Sequence, residues 1–430
     1  MRKLKVAVIG AGSTYTPELI DGFLSRADRL GVSAFYMMDI DTRKNAIVSA
    51  FARRMVTNRG LDVPVIETTD LSEAISGADY VIAQIRVGKL PARVLDEKIP
   101  LKHGLIGQET VGVGGFFKAL RTIPVISNVA DMIEKTAPSA WLINFSNPSG
   151  ILAEMLSRRG TIRSIGLCNA PMGIEKLMRR KLGELTPSDK LEYDYVGLNH
   201  FNWITKVQLN GADTIDKLFE EEEAQQLATS PGAEFLRAIG GIPSYYLNYF
   251  YNREKTIADL KARKTTRGED CMAIEKELLE LYSDEKLVSK PEQLDKRGGA
   301  FYSEAAVSLI DSIENDLNRT HVINTNNKGT IPFLGEGDVA EVKCTVGKDG
   351  PRPLPLMSAD VNEHIIGMVQ AVKAYEKLTI KAGLTGDYNA GLAALLTNPL
   401  VGDYAAAKAV YDEMLEAHKE FLPQMNGVKW

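Results

Sequence analysis

The chain opens on a largely apolar, β-branched run over residues 3–9 whose last four residues, Val6-Ala7-Val8-Ile9, show no alternation of polar and apolar positions. A run of this kind predicts a strand buried on both sides. It breaks into Gly10-Ala11-Gly12. Thr16-Pro17-Glu18 then reads as a helix start, with Thr16 as N-cap and Pro17 in the first turn. The apolar spacing Leu19, Ile20, Phe23, Leu24 follows, and Gly31 marks the end. A second strand over 34–38 runs into Asp39. The alternation continues with strands over 63–68, 79–85, 140–145 and 163–168. Between them come helices over 71–76, opened by a capping box of Asp70 and Glu73, over 116–135 with an interruption at Pro124, and over 150–158. Strand and helix taking turns predict an α/β fold built on a mostly parallel, doubly wound sheet.

From about residue 170 the alternation fades. Strands are expected over 191–196, 203–209 and 339–346, with turns at Asn210-Gly211 and around residues 348–351. Helices are expected over 220–227, 269–282, 361–382, 388–395 and 403–420. The expected organisation is a Rossmann-like domain over 1–169 and an α+β domain over 170–430 that carries substrate, metal and oligomer contacts.

Composition narrows the classes. Apolar content of 44% and charged content of 25% are ordinary for a soluble globular protein. A formal net charge of −5 offers no electrostatic footprint for nucleic acid. No apolar run reaches membrane-spanning length, and the first residues lead into a strand rather than a signal peptide. Cys168, Cys271 and Cys344 are few and far apart, which argues against a disulfide framework. A cytoplasmic protein without membrane or nucleic-acid partners is expected.

The candidate chemistry gathers where the predicted strands end. Gly10, Gly12, Ser13 and Thr14 form a glycine turn between a strand and a helix N-terminus, where backbone N–H groups favour a pyrophosphate. Asp39 at the second strand end suits an adenosine ribose and so NAD, although Arg43 stands close by. The third glycine of the usual Gly-x-Gly-x-x-Gly pattern is replaced by Tyr15. Cys168 and His200 stand 32 residues apart. Alone, the first reads as a small hydrophobe and the second as loop surface. Together they offer soft ligands that suggest zinc, with coordination positions left open. The segment 85–93 reads as a basic loop bearing Arg86, Lys89 and Arg93, able to clamp an anionic group. Thr265-Thr266-Arg267-Gly268 adds a cation beside hydroxyls, and Gly107-Gln108-Glu109-Thr110 a carboxylate in a glycine-rich, flexible loop. The aromatic run from Tyr245 to Tyr251 reads as core from composition alone.

Motifs in order then carry a resemblance. They are Gly10-Ala11-Gly12-Ser13-Thr14, Ile85-Arg86-Val87-Gly88, Asp96-Glu97-Lys98-Ile99-Pro100-Leu101, Gly107-Gln108-Glu109-Thr110, Asn144-Phe145-Ser146-Asn147-Pro148, Cys168-Asn169 and Gly197-Leu198-Asn199-His200-Phe201. Across essentially its whole length the chain resembles the family 4 glycoside hydrolases, NAD- and divalent-metal-dependent 6-phospho-glycosidases that depart from two-carboxylate hydrolysis. The resemblance implies that Cys168 and His200 bind a metal, usually Mn²⁺, in place of zinc. It implies Tyr246, in its Pro-x-x-Tyr-Leu context, as catalytic base, with Tyr245 beside it as the other choice. Glu109 supports that base, while Arg93, Asn147 and Arg267 bind substrate around its phosphate and sugar. Asn169 stands where α-glucosidase members carry an acidic Asp, so the resemblance points to a 6-phospho-β-glucosidase, with the α-type as alternative. The implied reaction oxidises the sugar, eliminates the aglycone, adds water and reduces the product. The implied substrate is a phosphorylated disaccharide or β-glucoside, and the implied assembly a homodimer or homotetramer. A lactate/malate-type dehydrogenase is the competing reading, since it shares the N-terminal architecture but needs no metal.

Overall fold

A computed structural model describes residues 2–183, 185, 186, 188–220, 232–297 and 302–425. The apolar run at the start forms β1 (Lys3–Ile9), which lies inside a parallel sheet. Its neighbours are β2 (Gly31–Met38), β3 (Val65–Thr68), β4 (Tyr80–Ala83), β5 (Trp141–Asn144) and β6 (Arg163–Gly166). They pair in parallel in the order β3-β2-β1-β4-β5-β6. Helices cover both faces, so strands such as β4 and β5 are buried at every residue, and they have the unbroken apolar character that such burial requires. The strand order reverses at β1, which opens a crevice outside the carboxyl ends of the strands.

The helices between these strands are α1 (Thr16–Leu24), α2 (Thr42–Asn58), α3 (Leu71–Ile75), α4 (Lys89–Lys102), α5 (Gly112–Thr136) and α6 (Ser149–Arg159). Several differ from expectation. Thr16 is the first residue of α1, and Tyr15 takes the cap position. The Thr16 hydroxyl donates to the Ala11 carbonyl at 2.8 Å and so braces the glycine turn. Asp70 caps α3 through the Ser72 and Glu73 amides, but Glu73 accepts from the Thr68 hydroxyl at the other side. The basic segment expected as a loop is helical from Lys89 onward, as α4.

Pro124 does not interrupt α5, which runs unbroken on both sides of it. A proline strips the carbonyl four residues earlier of its helical donor. Here that carbonyl, on Leu120, accepts from Gln424 Nε2 at 2.8 Å. The glycines expected in a flexible loop instead form the first turn of α5. A Cβ on Gly114 would sit 2.1 Å from the Gln108 carbonyl oxygen, so glycine is what lets the 107–110 segment lie against the helix.

After α7 (Ala170–Lys181) the chain builds a second, antiparallel sheet from β7 (Leu191–Leu198), β8 (Phe201–Leu209), β9 (Ala212–Asp213) and β10 (Ile242–Pro243). It then returns to the first sheet. β11 (Arg319–Asn326), β12 (Val339–Gly347) and β13 (Gly350–Pro353) add antiparallel strands beyond β6, giving nine in that sheet among the described residues. β11 was not foreseen, because its Arg-Thr-His-Val-Ile-Asn-Thr-Asn composition is polar for a strand. The helix expected over 220–227 lies outside the described residues from 221 onward. Helices Glu363–Thr385, Tyr388–Thr397 and Tyr404–Ala417 close the fold. Among the described residues no helix is long and apolar enough to cross a membrane.

Candidate active site

The glycine turn sits at the carboxyl end of β1. Gly12 donates its N–H to Asp39 Oδ2 at 2.8 Å, so the turn and the end of β2 are locked together. A Cβ on Gly12 would lie 3.0 Å from that carboxylate oxygen and 3.2 Å from the Asn45 nitrogen, so a side chain has little room there. Burial raises the pKa of Asp39, and the N–H groups of Asp41 and Gly12 offset part of the rise. Thr14 Oγ1, buried in the same turn, has no hydrogen-bond partner among the described residues. Ser13 Oγ accepts from the Tyr15 amide. Beside Asp39 lies a cavity lined by Asp41, Arg43, Lys44, Lys89 and Glu275. Its wall also bears Lys276; Asp41 pairs with Lys89 at 2.7 Å, Glu275 with Lys44 and Glu280 with Lys276 at 3.9 Å, so three of its four cations have carboxylate partners. The turn, the orphaned hydroxyl and this cavity fit a dinucleotide with an unphosphorylated ribose.

The end of β4 leads from that turn to a buried charge cluster. Gln84 Nε2 donates to the Gly10 carbonyl at 3.3 Å, and Arg86, two residues on, is paired with Glu109. Glu109 also meets Arg93 Nη1 and Lys118 Nζ, each at 3.0 Å. Burial alone would raise Glu109. The charges of Arg86, Lys118 and Arg93 outweigh it and hold the carboxyl well below its usual range. Lys118, in the buried first half of α5, is pushed down to about 7 by burial and by Arg86. Glu97 holds Arg93 from its other side at 2.8 Å and accepts the Gly268 N–H at 2.8 Å. Replacing Glu109 with Gln should therefore cost about 3–5 kcal/mol, because it leaves buried cations without their counter-ion. The denaturation midpoint measures this, and a midpoint equal to the parent's would show that water screens the cluster.

Cys168 lies two residues past the end of β6, and His200 occupies the two-residue turn between β7 and β8 at φ 61°. Folding brings Cys168 Sγ to 3.4 Å from His200 Nε2. Two donors on one metal with bonds of about 2.0–2.3 Å lie about 3–3.5 Å apart, so this spacing fits a shared ion. Burial, reinforced by the Glu341 charge, pushes the thiol up to about 12. Burial and Lys118 push the imidazole down to about 3, which keeps it neutral and able to ligate. Among the described residues no group of three His, Cys, Asp or Glu side chains forms a metal cluster. Cys168 and His200 would hold the metal from one side, and the remaining positions would fall to substrate or water.

The aromatic run is core only in part: Phe250 and Tyr251 pack against the main hydrophobic cluster, whereas Tyr245 and Tyr246 turn to the site. Tyr246 stacks on His200 with ring centroids 4.0 Å apart, and Tyr245, half exposed, lies 4.3 Å from Tyr246. Burial, with Tyr245 beside it, holds the Tyr246 phenol well above its ordinary pKa of 10.0. Asn147 follows β5 and precedes Pro148, which lines a small cavity with His200, Asn199 and Thr110. Asn169 caps α7 immediately after Cys168. Arg267 is set apart from these groups. It begins the helix Arg267–Ser283 and donates to the Lys296 carbonyl at 3.4 Å, reaching the cluster only through its neighbour Gly268 and Glu97.

Two functional candidates escaped sequence reasoning, Lys118 and Glu341. Each is a buried charge inside a largely apolar element, and that anomaly was the available signal.

The sequence matches the Family 4 glycosyl hydrolase domain over residues 5–184 and the Family 4 glycosyl hydrolase C-terminal domain over residues 195–401. The chain belongs to glycosyl hydrolase family 4. Within that family it is 38% identical to the 6-phospho-beta-glucosidase of Escherichia coli over 437 residues, spanning 98% of this chain and 97% of that one. The 6-phospho-alpha-glucosidase 1 of Lacticaseibacillus paracasei is 31% identical over 450 residues, with 99% of each chain covered. The 6-phospho-beta glucosidase of Thermotoga maritima, solved with manganese, NAD+ and glucose-6-phosphate, superposes with a TM-score of 0.87 at 35% identity, covering 98% of this chain and 99% of that one. The zinc expected from ligand softness therefore gives way to manganese as the ion this family 4 relative carries.

Proposed function

We infer that this family 4 hydrolase is a 6-phospho-β-glucosidase that uses NAD and Mn²⁺ to release glucose 6-phosphate and an aglycone. The observation that carries this is the stack of Tyr246 on His200, with Cys168 at 3.4 Å from the imidazole, at the same carboxyl edge of the parallel sheet as the glycine turn. When bound, NAD would accept a hydride from carbon 3 of the sugar and return it once water has added, leaving no net redox change, and the metal would supply a Lewis acid that polarises the ketone.

The chain's own groups do the rest. Cys168 and His200 hold the metal on one side. Tyr246 takes the proton from carbon 2, which the adjacent ketone acidifies. Burial resists ionisation of the phenol, so a cation on His200 is what would make its phenolate available as the base. Glu109 holds Arg86, Arg93 and Lys118 in one place, and these cations outnumber the carboxylates around them, leaving positive charge for a phosphate. Arg93 and Asn147 orient the sugar, and Arg267 completes the phosphate contacts after a side-chain rotation. Asn169 suits a β-linked aglycone, whose departure by elimination needs no carboxylic acid.

The test is a chromogenic β-glucoside with and without its 6-phosphate, in the presence and absence of Mn²⁺ and NAD⁺. Losing a desolvated charge contact costs about 2–5 kcal/mol, so the unphosphorylated compound should lose at least about thirtyfold in kcat/KM. Equal values would remove the phosphate from the proposal. A faster α-anomer would exchange β for α. Net accumulation of NADH with a 2-hydroxy acid would favour the dehydrogenase reading. The enzyme acts in the cytoplasm, a placement that the free thiols of Cys168, Cys271 and Cys344 support. The proposal includes a homodimer or homotetramer, which light scattering on the eluting protein measures.

A further inference from the structure

Glu341 is 1% exposed, in the middle of β12. Its two oxygens accept from four neutral donors. Tyr195 Oη donates to Oε2 at 2.7 Å and Asn202 Nδ2 to the same oxygen at 3.1 Å. Asn199 Nδ2 donates to Oε1 at 2.9 Å and Asn324 Nδ2 at 3.3 Å. Among the described residues no Lys, Arg or His forms an ion pair with it. A buried carboxylate without a cation is expensive. A glutamine keeps one acceptor oxygen and, with the Asn202 and Asn324 amides turned to offer their unpartnered oxygens, could tie the same elements together without a charge, so cross-linking alone does not require the carboxylate.

The donors lead to the metal-binding pair from two directions. Asn199 immediately precedes His200, and its side chain also hydrogen-bonds the Cys168 sulfur. It therefore spans from Glu341 to Cys168 while fixing the strained turn that carries His200. Asn324 pairs with Gly166 in the sheet, two residues before Cys168, and donates to the Gly166 carbonyl at 3.5 Å. A divalent cation held by one thiolate and one neutral imidazole leaves a single positive charge uncompensated.

We propose that Glu341 is a positioning residue for the metal site, orienting Cys168 and His200 through Asn199 and supplying the buried counter-charge for the bound cation. This rests on the metal assignment of the proposed function. The experiment measures Mn²⁺ and NAD⁺ dissociation constants by calorimetry, and the Mn²⁺ electron paramagnetic resonance signal, on the full-length parent protein, Glu341→Gln and Glu341→Asp. Loss of a group that orients metal ligands typically weakens metal binding ~10–100-fold, and that is the expected shift for Glu341→Gln. Glu341→Asp keeps the charge but draws it back from Asn199, and should fall between Gln and parent. NAD⁺ affinity should stay at the parent value in both, which a general loosening of the fold would not allow. If Glu341→Gln shows no cooperative melt, Glu341→Asp decides by the same measurement. Parent-like Mn²⁺ affinity in the folded variants overturns the role of Glu341 and leaves the metal assignment standing. A parent protein that binds no Mn²⁺ overturns both.

Discussion

Cys168→Ser is expected to abolish the Mn²⁺ dependence of turnover and to lower kcat by about a thousandfold. The serine hydroxyl is a poor substitute for a thiolate in the ligand pair at 3.4 Å, and His200 alone cannot retain the ion. Lewis-acid polarisation is worth several kcal/mol, and about 4 kcal/mol corresponds to three decades in rate. The fold should survive, since the side chain sits beyond the end of β6 rather than in the sheet core. The measurement is a Mn²⁺ titration of initial rate together with a thermal melt. A variant that keeps the parent titration curve rules out Cys168 as a ligand.

Tyr246→Phe should lower kcat by about 10²–10⁴-fold, the usual range for removing a general base. Phenylalanine preserves the stack on His200, so metal and NAD⁺ binding should hold while the chemistry slows. Tyr245→Phe should do much less, because Tyr245 is half exposed and meets the site through Tyr246. The same route makes a second, independent demand. Turnover in D₂O should place deuterium at carbon 2 of the glucose 6-phosphate product, after correction for isomerase contamination. Direct displacement at carbon 1 never touches that proton. Product without deuterium would falsify the elimination mechanism, whereas reversed tyrosine effects would change only which phenol serves as base.

Several features were legible locally because their causes are local. The stretch Val6-Ala7-Val8-Ile9 is apolar on both faces, and it became a strand buried at every residue. The glycine turn, Asp39 and the strand–helix alternation likewise follow from backbone freedom and periodicity within a few residues. The polarity of β11 and the proline in α5 misled local reasoning. β11 is held by partners on both sides in the sheet, and the carbonyl orphaned by Pro124 is satisfied by Gln424, 304 residues from Leu120. Local rules weigh a residue against its neighbours in sequence, and tertiary contacts can outweigh those preferences.

The candidate site divides along the same line. Ordered motifs marked Cys168, His200, Glu109 and Tyr246, but composition alone read the first as a small hydrophobe and the last as core. Their chemistry exists only once the chain closes. Cys168 and His200 become a donor pair, Tyr246 stacks on the imidazole, and Glu109 collects three cations contributed by α4, α5 and the β4 end. Glu341 carries no motif, and its donor Asn199 lies 142 residues away. The parallel strands β1 to β6, the dinucleotide turn and the family were legible from the residues alone, but the antiparallel extension through β11 was not. Tertiary structure decided which charges are buried together and which polar groups share a hydrogen bond. Both depend on distances between segments remote in the chain, and these are set by packing rather than by propensity or pattern.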